Sequence, residues 1–162
     1  MKKQNLLLLL MIVTAFTTTL FLPALTPADE IIIDDEDGIP NGNWFQSTWA
    51  PQYIGWGYHW HAAGVGTDTF FWPITTPGTY EVFARWTTPP YGEPDTTRAD
   101  EATYTIYHVH GSTPVQVNQQ YNGGVWVTLG IYSFDGVDDC VELAQSASGI
   151  VIADAIRWEL QP

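Results

Sequence analysis

No stretch of this chain repeats apolar residues at a sustained three-to-four-residue period, so amphipathic helices are not predicted. Short runs rich in Val, Ile, Tyr, Trp and Thr alternate instead with Gly and Pro punctuation, which is the pattern of strands joined by tight turns. The runs place strands near 30–34, 42–47, 55–61, 68–73 and 78–87, then near 102–110, 113–119, 125–134, 139–144 and 150–160. So many short strands in one domain-sized stretch predict an all-β fold, a single β-sandwich of the jelly-roll kind. The connections are equally legible. Residues 35–42 form an acidic turn, and 88–97 is the longest loop, stiffened by Pro89, Pro90 and Pro94. Tyr121-Asn122-Gly123-Gly124 reads as a hairpin turn, because Asn-Gly suits the positive φ that a tight turn requires.

The last predicted strand holds one discordant residue. Ile150, Ile152, Asp154, Ile156 and Trp158 fall on one face, since strand side chains repeat every two residues. A lone carboxylate on an apolar face is costly unless it is hydrogen-bonded or paired with a cation. Two readings follow: Asp154 accepts backbone or hydroxyl hydrogen bonds, or it helps to hold a metal. First and last strands of a sandwich often lie side by side, so Asp34 and Asp35 are candidates to supply further oxygens. Hard oxygen ligands suit a structural calcium ion.

The first 28 residues read differently from the rest. Lys2 and Lys3 precede an apolar run beginning at Leu6, and small residues follow up to Ala28. This is the order of a secretory signal, with cleavage expected after Ala28 or Ala24 and one mature domain at 29–162. An uncleaved anchor is the alternative, because the apolar stretch reaches Leu22 if its threonines are tolerated. Either way the domain is expected outside the cytoplasm, secreted or at the cell surface.

Charge narrows the partners. The chain carries −13 formally, and without Lys2 and Lys3 it keeps only Arg85, Arg98 and Arg157 against 18 acids. Such a surface repels phosphate backbones and anionic lipid, which argues against nucleic acid. Cys140 is the only cysteine, so no internal disulfide forms; its strand-like surroundings predict a buried thiol. His59/His61 and His108/His110 are i, i+2 pairs that would share a strand face, a spacing that admits zinc but with too few soft or nitrogen ligands to complete a site. Tyr104 and Ile106 share the face of the second pair, so core packing is the competing reading.

All eight tryptophans lie after residue 28, beside eight tyrosines. A domain of this length is not expected to bury every one and keep close packing. Exposed flat rings on an acidic exported domain suit sugar rings, whose C–H faces stack on aromatics while carboxylates and amides take the hydroxyls. The candidates are Trp49, Tyr53, Trp56, Tyr58 and Trp60, with Tyr91, Glu93, Asp95 and Arg98 in the proline-stiffened loop. An aromatic-rich core and a protein-binding face are the alternatives. No Gly-x-Ser-x-Gly, His-Glu-x-x-His or phosphate-cradling loop is present, and no spacing singles out a catalytic carboxylate pair, so no enzyme activity is predicted.

An ordered set of short motifs completes the reading: Ile32-Ile33-Asp34-Asp35, Gly42-x-Trp44, 78–86, Ala102-Thr103-Tyr104-Thr105-Ile106-Tyr107-His108, 115–119, 124–130 and 151–157. In that order they resemble the golvesin C-terminal domain, also described as the carbohydrate-binding-like domain of xanthan lyase, over nearly all of 29–162. The resemblance implies a galactose-binding-like jelly roll with a carbohydrate- or cell-surface-binding role. It also implies that Tyr104, Ile106, His108, Asn118, Gln119 and Asp154 occupy recurring positions of the family, as ligand contacts or as supports of the fold. Modules of similar architecture often carry a structural calcium. The expected function is therefore a non-catalytic module for polysaccharide or a cell-envelope polymer, with Trp56, Tyr58, Tyr91, Asp95, Arg98 and His108 as ligand residues and Asp34, Asp35 and Asp154 as metal ligands. The alternative is a structural protein that self-associates through aromatic faces and strand edges into a surface layer or fibre.

Overall fold

Tyr80, Val82 and Ala84 are buried while Glu81, Phe83 and Arg85 between them are not, and this period of two recurs in most strands of the sandwich. The computed structural model describes residues 29–162; the predicted signal segment, 1–28, lies outside the described residues. In chain order the strands are β1 (Glu30–Asp34), β2 (Ile39–Asn41), β3 (Phe45–Ser47), β4 (Tyr58–His61), β5 (Thr69–Pro73) and β6 (Gly78–Arg85). They continue with β7 (Ala102–His108), β8 (Gly111–Val117), β9 (Val127–Phe134), β10 (Cys140–Ala144), β11 (Val151–Ala153) and β12 (Ala155–Leu160). A single 3-10 turn, Asp35–Asp37, is the one helical element among the described residues.

Three antiparallel sheets result: β1-β12-β6-β9, β2-β5-β10-β7-β8, and a small β11-β4-β3. The two larger sheets face each other across one core. Val82, Ile156 and Trp158 contribute from the first, and Phe70, Trp72, Tyr104, Ile106, Val141 and Leu143 from the second. Aromatic contacts knit it together, with Phe70 and Trp72 rings 4.8 Å apart and Trp72 stacked toward Tyr104 at 6.4 Å. Of the eight tryptophans, Trp72, Trp86 and Trp158 are core, whereas Trp49 and Trp56 stand open to solvent. The chain therefore divides its aromatics between packing and surface.

The structure changes three sequence expectations. The last strand is two strands: β11 pairs with β4, and β12 pairs with β1 and β6. The chain changes sheets at Asp154, so residues 151–156 are buried on both faces, and the apolar alternation had no polar face to contrast with. The Asn-Gly turn adopts the expected conformation, with Asn122 at φ 59, but makes no hairpin. It carries the chain from β8, which pairs with β7, across to β9, which pairs with β6. Gly123 is needed there for close approach: a Cβ would lie 2.5 Å from the Thr87 carbonyl oxygen. The real hairpin joins β7 to β8 through Val109 and His110, so His110 sits in a turn and does not share a strand face with His108. Cys140 is half-buried, and burial pushes its thiol up to about 11, which favours the protonated form at neutral pH.

Gln119 shows how the small sheet is fastened to the sandwich. It is fully buried; its Oε1 accepts from the Ile152 N–H at 2.8 Å, and its Nε2 donates to the Ile152 carbonyl at 2.9 Å and the Tyr104 hydroxyl at 3.0 Å. One side-chain amide thus replaces a missing strand neighbour for β11. Gln119→Ala leaves buried donors and acceptors unmet and opens a cavity, so it should cost about 2–4 kcal/mol in urea unfolding. A loss below about 0.5 kcal/mol would show that these bonds do not hold the sheet.

Candidate functional site

Antiparallel pairing of the first and last strands sets Asp34 opposite Ala155, and so brings Asp34 and Asp35 beside Asp154. Ligand oxygens of the three lie within 4.8 Å of one another. Asp35 and Asp154 are buried and Asp34 is half-buried. One oxygen on each, Asp34 Oδ1, Asp35 Oδ1 and Asp154 Oδ2, is buried without a hydrogen-bond partner. Two of the other oxygens are held: Asp154 Oδ1 accepts from the Ile54 N–H at 2.9 Å, and Asp35 Oδ2 lies 2.6 Å from His59 Nδ1. The nearest guanidinium nitrogen, Arg85 Nε, is 3.7 Å from Asp154 Oδ2. Burial, with the charge of Asp35 added, raises Asp34 to about 7. Burial raises Asp154 to about 8, assisted by the charge of Asp34 and opposed by the Ile54 N–H and Arg85. Three converging carboxylates with orphaned oxygens fit the hard-oxygen environment of calcium.

The histidine pairs assemble no comparable group among the described residues. His59 leads to Asp35, while His61 Nε2 meets Asp68 at 3.0 Å. His108 Nε2 meets Thr113 Oγ1 at 3.0 Å, with its ring 5.0 Å from Tyr132.

A cleft of about 330 Å³ opens between the small sheet and the loop that joins β6 to β7. Ser47 from β3, Tyr58 and Trp60 from β4 and Ile152 from β11 form one side, with Trp49 and Ala50 from the β3–β4 connection. Asp95, Thr97 and Arg98 form the other. Trp49 is 64% exposed, and Tyr91, 89% exposed, meets it edge-on at 5.6 Å. The Tyr58 hydroxyl accepts from the Ala50 N–H at 3.2 Å, which leaves its own proton available.

The β6–β7 loop is long but firmly tied. Arg98 N donates to Asp95 O at 3.0 Å, Asp95 N to Gln120 O at 3.1 Å, and Ala99 N to Ile150 O at 2.8 Å. Arg98 is buried; its Nη1 donates to the Thr87 carbonyl and its Nη2 to Thr87 Oγ1 at 2.9 Å, with Asp95 Oδ2 3.5 Å from Nε. Burial lowers its pKa from the usual guanidinium range, and Asp95 partly offsets this. Flat apolar walls with a carboxylate and hydroxyls between them suit a ligand with an apolar face and a hydroxylated edge.

The sequence-predicted ligand residues are thus divided. Tyr58, Asp95 and Arg98 meet in the cleft and Tyr91 stands beside Trp49, but Glu93 accepts from the Gly123 N–H at 2.7 Å. Trp56 is 80% exposed on the β3–β4 connection and does not line the cleft. His108 lies in a separate shallow groove with Asp135 and Asp138. Ser47, Thr97, Ile150 and Ile152 complete the cleft and carry no signal of their own in the sequence, because isolated polar and aliphatic residues look alike whether they line a site or not.

The comparisons with known proteins agree with this architecture. Xanthan lyase of Bacillus sp. (strain GL1) is 31% identical over 139 residues, 79% of this chain and 14% of that protein. The structure of Paenibacillus xanthan lyase superposes with a TM-score of 0.74 at 29% identity, over 84% of this chain and 13% of that one. The chain thus spans about a seventh of the length of the curated relative it matches. A family 35 carbohydrate-binding module from Clostridium thermocellum shares the fold, with a TM-score of 0.55 at 18% identity over 83% of this chain and all of that one. Residues 31–160 match the model of the Golvesin C-terminal domain, and the chain belongs to that family.

Proposed function

We propose that this domain is an exported, non-catalytic carbohydrate-binding module that holds polysaccharide in the Trp49–Trp60–Asp95 cleft and carries a structural calcium at Asp34, Asp35 and Asp154. The observation that carries the first part is the cleft itself, where an exposed indole and a second aromatic wall flank hydrogen-bonding side chains on a tied loop. The resemblance in fold to a whole carbohydrate-binding module supports it, and the leader-like first 28 residues support export. A pre-ordered loop matters because binding then has little further entropy to remove.

The calcium reading rests on the orphaned carboxylate oxygens. An ion there would also brace the cleft wall. Ile54 is bonded to Asp154, and a Cβ on Gly55, whose φ is 63, would lie 1.9 Å from Asp34 Oδ2. The β3–β4 connection that carries Trp49 and Ala50 is therefore packed directly on Asp34 and Asp154.

Calcium in hundredfold excess over its dissociation constant should stabilise the domain by about 2.7 kcal/mol and raise Tm by several degrees. The gain should depend on pH. Asp34 and Asp154 sit above their unfolded values, so in chelator they stabilise the fold at acid pH, and that contribution disappears as pH rises through about 7 to 8. Calcium requires the ionised forms, so the Tm difference between calcium and chelator should widen from pH 5 to pH 8. Equal melting curves in both at pH 8 would remove the ion. For the cleft, Trp49→Ala should lower retention on insoluble polysaccharide about tenfold with Tm nearly unchanged, since the ring is mostly exposed. Unchanged retention would place the ligand elsewhere.

A further inference from the structure

The charges around the cleft indicate which sugars it accepts, on the reading that the cleft is a glycan site. The described residues hold only three arginines and no lysine. Arg85 and Arg157 lie at outward positions of β6 and β12, their guanidinium carbons 5.7 and 5.2 Å from the ring centre of Trp126. Arg157 also stacks over Phe83 at 4.3 Å and pairs with Glu159 at 3.4 Å, and Arg85 donates to the Gln52 carbonyl at 2.9 Å. Neither lines the cleft.

Arg98 does, but its fork is turned inward. Two of its nitrogens donate to Thr87, the third faces Asp95, and the side chain is buried. A site built for a carboxylated sugar normally presents a guanidinium or ammonium to the carboxylate, often in bidentate geometry. The other charged group that lines the cleft is the Asp95 carboxylate. Its Oδ1 is occupied by the Thr97 N–H at 3.0 Å and the Thr97 hydroxyl at 2.6 Å, and its Oδ2 lies 3.5 Å from Arg98 Nε with lone-pair capacity to spare.

We infer that the cleft selects uncharged sugars over uronates, and that Asp95 sets this preference. A neutral ring stacks its apolar face on Trp49 and donates a hydroxyl to Asp95. A uronate brings a like charge to the same place, finds its potential counter-ion already bonded, and approaches through the field of a strongly acidic protein.

The test is an array of neutral oligosaccharides set beside their uronic-acid counterparts, probed with the wild-type domain and with Trp49→Ala at low and at roughly 0.5 M salt. The expected result is binding confined to the neutral set, at least about tenfold stronger than any uronate counterpart, indifferent to salt and lost in Trp49→Ala. Asp95→Asn should weaken the neutral hits and narrow the gap to the uronates. If Asp95→Asn proves unstable, the salt arm still reads the charge effect, because screening should strengthen uronate binding alone. Uronate binding as strong as neutral binding, and lost in Trp49→Ala, would overturn the charge selection and leave the cleft as the site. Hits that persist in Trp49→Ala, or no hits in either set, would overturn the cleft reading and the selection with it.

Discussion

Three carboxylates are forced together where the first and last strands of the sandwich run side by side, and much of the local structure answers to that constraint. Asp34 ends β1, Asp35 opens the 3-10 turn, and Asp154 marks the point where the chain leaves the small sheet for the large one. Like charges buried at this separation repel strongly, and the only guanidinium nearby is 3.7 Å from one of them. Burial is the larger cause of the raised pKa values of Asp34 and Asp154, and that repulsion adds to it; the proposed calcium ion would relieve both at neutral pH. An ion there would tie the N-terminal strand, the sheet crossing and the β3–β4 connection into one unit in a domain without an internal disulfide.

The cleft depends on the same unit. One wall belongs to the small sheet and the connection resting on the carboxylates; the other is the β6–β7 loop, stapled by backbone bonds to Gln120 and Ile150. Gln119 fastens β11 to the larger sheet and thereby fixes the position of Ile152 in the cleft. This division of labour explains why aromatic residues with similar sequence surroundings differ in role. Tyr58 is buried and hydrogen-bonded as a support for Ala50, whereas Trp49 and Tyr91 project from connections and keep their faces open.

Much of this was legible in the sequence wherever the information is local or follows from strand period. The short apolar runs marked most of the strands, and the lone Asp154 among isoleucines pointed to a buried carboxylate that needs partners. Adjacent chain ends then suggested Asp34 and Asp35. Non-local pairing was not legible. Nothing near Asp154 says that its strand divides between two sheets, because both faces are covered and every residue there is apolar or small. Asn122-Gly123 encodes a backbone turn but not which strands it separates. The cleft was found in part, through Tyr58, Asp95 and Arg98. Ser47 and Ile152 reach it only through the pairing of the small sheet, and Trp56 was misleading because an exposed ring need not stand beside hydrogen-bonding groups.

The eight tryptophan indole N–H resonances give the most direct test of where ligand sits. In a titration of the domain, in buffer containing calcium, with a binding oligosaccharide, the account predicts that the signals of Trp49 and Trp60 move while those of Trp72, Trp126 and Trp158 stay in place. Shifts concentrated at Trp126, or at Trp56 with Trp49 and Trp60 unmoved, would contradict it.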